Sequence, residues 1–109
     1  MMFFTRVAAS LLAVIRLQAV AEGDAAAGQA KSAICAACHG VDGNSAVPNW
    51  PKLAGQHASY IERQTALIKS GDRSVPEMMG IVAGMSDQDF RDLASFFSSQ
   101  TNSGGVADE

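Results

Sequence analysis

The sequence predicts a small all-α protein, and three observations carry that prediction. Apolar and packing-sized residues recur at helical spacing in 58–69 (Tyr60, Ile61, Gln64, Leu67, Ile68) and again in 87–100 (Phe90, Leu93, Ala94, Phe97). A third segment, 25–37, is rich in alanine, the strongest helix former. Between them, 40–55 holds Gly40, Gly43, Gly55, Pro48 and Pro51 with no strand-like alternation, so it reads as a long loop around Trp50. At 109 residues, with no internal repeat, the chain has room for one small domain.

Taken in order, 1–21 read as a secretory signal peptide. Arg6 supplies the basic region, 7–15 the apolar run, and Ala19-Val20-Ala21 a small-x-small cleavage site. Arg16 interrupts the apolar stretch, which falls well short of the ~20 residues that a membrane span needs. Export to the periplasm is therefore expected, with 22–100 as the functional domain. Removing 21 of the 109 residues leaves 88 and takes away Arg6 and Arg16, so six basic residues then face eleven acidic ones. A chain this acidic is a poor nucleic-acid binder. It is also too short for a large core of its own, and chains of this size often lean on a cofactor.

Asp24 is placed to cap the helix over 25–37. Gly28 weakens that helix, so a close packing contact is expected there. Gly71 stops the helix over 58–69, and 72–76 lead as a loop into the short segment Glu77-Met78-Met79-Gly80. Ser86 and Asp89 match the capping box that opens the last helix, 87–100. Residues 101–109, with Gly104-Gly105 and a closing Asp108-Glu109, read as a flexible tail.

The chemistry gathers in Cys35-Ala36-Ala37-Cys38-His39, which contains both cysteines of the chain. C-x-x-C-H is the attachment signature of c-type haem. Residues three apart share one face of a helical turn, so both thiols can reach the vinyl groups of one porphyrin and form thioethers. The histidine that follows binds iron axially, and Ala36 and Ala37 let the backbone lie close to the ring. Two other readings exist. A redox dithiol belongs beside a βαβ unit, which is missing from this pattern. A zinc site would draw on Cys35, Cys38, His39 and His57. Adjacent Cys38 and His39 are awkward for a tetrahedral clip, and zinc leaves the methionine segment without a role.

With these motifs in view, the chain resembles a class I c-type cytochrome, and most closely one half of the di-haem cytochrome c4 family. The resemblance is carried by Gly28-Gln29, the C-x-x-C-H segment with Gly40, Asp42-Gly43-Asn44-Ser45, Pro51-Lys52-Leu53-Ala54-Gly55-Gln56, Glu77-Met78, Ser86-Asp87-Gln88-Asp89 and Phe96-Phe97-Ser98-Ser99-Gln100. It covers nearly all of 22–100. It implies helices wrapped around one covalently bound haem c, with Cys35, Cys38 and His39 holding it and Met78 as the sixth iron ligand. Met79, Met85 and His57 are the other candidates for that position. A ligating histidine usually gives its second ring N–H to a fixed acceptor. The resemblance assigns that acceptor to the Pro51 carbonyl, with Pro48 as the alternative. It places Leu53 against the ring, Gly28 against Phe96 or Leu93 where the first and last helices cross, and Trp50, Tyr60 and Arg73 as candidates to bind a propionate. The departure from the family is that one haem motif is present instead of two; 101–109 resemble the start of the linker between the halves.

The implied function is a mono-haem cytochrome that carries single electrons between periplasmic or membrane-bound redox proteins, such as respiratory-chain cytochromes or oxidases. No general acid, base or open coordination position is evident, so no enzymatic activity is expected. The alternative is a haem peroxidase or gas-sensing haem protein in which the methionine dissociates. A face left apolar where the second half would pack suggests a weak homodimer.

Overall fold

A computed structural model describes residues 22–104. The signal peptide expected over 1–21 and the last five tail residues lie outside the described residues. Five α-helices follow one another: α1 (Ala25–Lys31), α2 (Ala33–His39), α3 (Ala58–Ser70), α4 (Pro76–Val82) and α5 (Asp87–Ser98). Among the described residues there is no strand, and no helix is long and apolar enough to cross a membrane.

Local chemistry explains most of the boundaries. The Asp24 carboxylate accepts from the N–H groups of Ala26 (2.9 Å) and Ala27 (3.2 Å), which satisfies two of the unpaired donors at the start of α1. The single helix expected over 25–37 is instead two, broken at Ser32. There the hydroxyl and the backbone N–H of Ser32 both donate to the Gln29 carbonyl, at 2.8 and 3.2 Å. A serine that bonds back onto the preceding turn competes with the helical ladder and bends it. Gly71, at φ +85°, closes α3 in the left-handed conformation.

The short segment around Met78, to which the sequence assigns no helix, is the helix α4. Pro76 occupies its first turn, where a missing N–H costs nothing, and Glu77 favours the positive end of the helix. At the start of α5, Ser86 Oγ accepts from the Asp89 N–H (3.1 Å) while the Asp89 carboxylate accepts from the Ser86 N–H (2.9 Å).

Helix α5 is the spine of the fold. Its residues Leu93, Ala94, Phe96 and Phe97 join Ile61 of α3 in one buried cluster, and Phe90 joins Ile68 and Val82 in a second. Met85 packs against both. The rings of Phe96 and Phe97 meet at 5.0 Å with a tilt of 58°, a favoured aromatic geometry. Helix α1 crosses α5 at Gly28, where a Cβ would lie 2.0 Å from the Asp92 carbonyl oxygen and 2.9 Å from Phe96 Cβ. The partners at this crossing are therefore Asp92 and Phe96.

A polar clasp seals the crossing. The buried Asp92 carboxylate accepts from the Asp24 N–H (2.9 Å), Lys31 Nζ (2.6 Å) and Gln88 Nε2 (2.8 Å). These donors, the Asp24 N–H foremost, hold its carboxyl well below the usual range, at about 2. Lys31 also pairs with Asp89 at 2.8 Å.

Candidate functional site

Helices α2, α3 and α4 and the loop 40–55 enclose a cavity of about 460 Å³. That lies within the range of cofactor pockets, and largely apolar side chains line it, as such pockets require. From α2 it receives Cys35, Cys38 and His39; from the loop Trp50, Pro51 and Leu53; from α4 Met78 and Ile81. Tyr60, Ile61, Gln64 and Ile68 line it from α3, and Phe97 and Leu93 form part of its wall.

His39 is buried, and its Nδ1 lies 2.8 Å from the Pro51 carbonyl oxygen. A carbonyl only accepts, so Nδ1 carries the proton and Nε2 is left as the basic nitrogen of the ring. Pro51, not Pro48, makes this contact; Pro48 lines a separate shallow hollow with Ser45 and Lys52. Two positive-φ glycines shape the loop that brings Pro51 there. Gly40 (φ +83°) turns the chain directly after His39, and Gly43 (φ +83°) offers its carbonyl to the N–H groups of Leu53 (2.8 Å) and Ala54 (3.2 Å).

Cys35 and Cys38 are not joined in a disulfide, and both are half-buried on the cavity wall. Burial, and then the neighbouring Cys38, push the Cys35 thiol above its ordinary range. The methionines separate cleanly. Met78 and Met85 line the cavity, whereas Met79 is 42% exposed and does not. His57 sits at the exposed N-cap of α3, also off the cavity.

The four residues of the zinc reading are thus not brought together. Among the described residues no group of three or more His, Cys, Asp or Glu is arranged to hold a metal ion. Two thiols three residues apart, one imidazole with a free Nε2 and one thioether from another helix instead fit a covalently held haem.

Leu53 is half-buried on the wall. Trp50, Tyr60 and Arg73 all line the cavity, with Trp50 41% exposed. The Arg73 guanidinium already donates to Gln64 Oε1 at 2.9 Å, which ties it to α3 at the cavity wall. Sequence reasoning gave Gln64 no role at the site. Its signal was a polar residue at a core-facing position of an amphipathic helix.

Four likenesses to known proteins and families bear on this site. A model of the family described as Cytochrome c matches residues 21–101. Cytochrome c4 of Pseudomonas aeruginosa is 54% identical over 101 residues, covering 91% of this chain and 50% of the relative. Cytochrome c-554(548) of Halomonas halodenitrificans is 42% identical over 81 residues, covering 72% of this chain and 98% of that protein. Among solved structures, reduced recombinant cytochrome c4 from Pseudomonas stutzeri matches with a TM-score of 0.73 at 53% identity, covering 79% of this chain and 50% of that one. The chain spans about half the length of the cytochrome c4 relatives it matches.

Proposed function

Because the chain belongs to the cytochrome c family, we propose that it is a mono-haem c-type cytochrome that carries single electrons between redox proteins. Its cofactor is haem c. The observation that carries the proposal is the convergence of Cys35, Cys38, His39 and Met78 on one cavity, with the His39 ring held by the Pro51 carbonyl.

Each residue then has a role that follows from its chemistry. Cys35 and Cys38 would hold the porphyrin through thioethers, and His39 Nε2 and the Met78 sulfur would be the donors to its iron. The bound iron supplies a one-electron couple, and a thioether paired with histidine raises its potential. The Pro51 carbonyl fixes the tautomer and orientation of the imidazole and raises its basicity. Leu53, Ile61, Leu93 and Phe97 exclude water from the wall. Gln64 holds Arg73 at the cavity wall, where a guanidinium or the Trp50 indole N–H can meet a propionate.

The role is carriage rather than catalysis, located in the periplasm after cleavage of 1–21, with 22–100 as the cytochrome domain. Its partners are redox proteins such as respiratory-chain cytochromes or oxidases. Rapid release requires a small interface, below about 1,200 Å². A weak homodimer would use the same economy of contact. Optical spectroscopy tests the reading: a low-spin ferrous spectrum that carbon monoxide leaves unchanged is expected. A spectrum that shifts on carbon monoxide addition would transfer the protein to the peroxidase or gas-sensing class.

A further inference from the structure

The described part of the tail is fastened. The Asn44 carboxamide donates from Nδ2 to the Thr101 carbonyl (2.9 Å) and accepts at Oδ1 from the Ser103 N–H (2.8 Å). It thereby brackets the backbone as a neighbouring strand would. Lys52 Nζ donates to the Gly104 carbonyl. Upstream, the Gly55 N–H donates to the Phe97 carbonyl at 3.0 Å, so the same loop also grips the end of α5.

The positions of these two grips matter. His39 and Pro51 close a ring through the backbone: His39 to Gly43, across the Gly43 carbonyl to the Leu53 N–H (2.8 Å), and back to Pro51, whose carbonyl meets His39 Nδ1 (2.8 Å). Asn44 directly follows Gly43 on one side of that ring, and Lys52 directly follows Pro51 on the other. Both are held by the same four residues, 101–104. The ring has little other freedom on this side, since a Cβ on Gly43 would lie 2.8 Å from both Ala54 N and Phe97 Cδ1.

We propose that 101–104 act as a strap across this ring, with Asn44 and Lys52 as positioning residues that set the His39–Pro51 hydrogen bond. Tension or release in the chain beyond α5 then reaches the histidine through backbone and hydrogen bonds alone. An imidazole that donates strongly at Nδ1 is a better electron donor at Nε2 and favours ferric iron. Slackening the strap weakens that donation and raises the midpoint potential. The inference rests on His39 being the iron's histidine ligand.

The test uses the haem-loaded full chain with Asn44→Ala and Lys52→Ala, and Ser70→Ala at the far end of α3 as control. Hydrogen exchange by NMR reads the Ser103 N–H and the His39 Nδ1–H, and a redox titration reads the potential. Asn44→Ala is expected to speed exchange at both sites at least tenfold and to raise the potential, with Lys52→Ala giving the same pattern at smaller size. Faster exchange at Ser103 alone, with the His39 proton and the potential unchanged, overturns the proposal and leaves the strap a purely structural contact. If Asn44→Ala does not fold, Lys52→Ala decides alone, because that side chain is only half-buried and its Nζ contact is exposed. A wild-type protein with no haem-shifted His39 ring signals would overturn the ligand assignment itself, a failure distinct from loss of coupling.

Discussion

Gly28→Ala sets two physical effects against each other, and the structure decides which wins. Alanine is the better helix former by about 1 kcal/mol, so propensity alone predicts stabilisation of α1. The added Cβ, however, would lie 2.0 Å from the Asp92 carbonyl oxygen. Ordinary carbon–oxygen contacts start at about 3.3 Å, so α1 and α5 must separate by roughly 1 Å. The obstructing atom belongs to helix backbone, and no rotamer change can move it. Overpacking of this kind costs about 1–3 kcal/mol, with the upper end expected when backbone must shift. Separation also loosens the bonds from the Asp24 N–H and Lys31 to the Asp92 carboxylate. After the propensity gain, a net loss of about 2 kcal/mol is expected, which lowers Tm by about 8–16 °C in a domain of this size. Thermal unfolding of the haem-loaded protein, followed by circular dichroism, measures it. A Tm equal to or above that of the wild type would refute the close crossing.

Met78→Ala is expected to abolish the weak sulfur-to-iron absorption band and to lower the potential. Met79→Ala should leave both intact and change stability by no more than about 0.5 kcal/mol, because its side chain is exposed; loss of the band in that variant would move the ligand by one residue. Met85→Ala should keep the band but cost about 2 kcal/mol, since Met85 packs against both core clusters. Acid unfolding reports on Asp92, whose folded carboxyl titrates at about 2 and whose unfolded carboxyl titrates at about 4. Its stabilisation is complete above pH about 4 and is lost as pH falls through about 2. Urea unfolding of Asp92→Asn should therefore show a flatter pH dependence across that window, and an unchanged slope would discount the clasp. For self-association, sedimentation over a concentration series should show a weak dimer, and a single monomer at high micromolar concentration, insensitive to salt, would exclude it.

What the sequence made legible was local. Asp24 and the Ser86–Asp89 box announce their helices because cap and capped N–H groups lie within three residues of each other. The haem motif is contiguous, so its reading needed no tertiary information. Ser32 escaped notice because serine is tolerated inside helices, and only its bond to the Gln29 carbonyl shows that it divides one. Helix α4, at seven residues, is too short for a periodic signal, although Pro76 at its first turn was a usable clue. Spacing alone could not choose between Met78 and Met79; the phase of α4 turns the former to the cavity and the latter to solvent. The bonds of Asp24 and Lys31 to Asp92 and the Asn44 bracket join residues 57 to 68 positions apart, and polar side chains carry no one-dimensional sign of such a partner.

The most direct measurement is the intact mass of the exported, haem-loaded protein, combined with acid–acetone extraction and peptide mapping. One haem mass retained after extraction, linked at both Cys35 and Cys38, is the expected result. A colourless protein with two free thiols, or a haem that leaves with the solvent, would contradict the assignment of this chain as a covalent haem carrier.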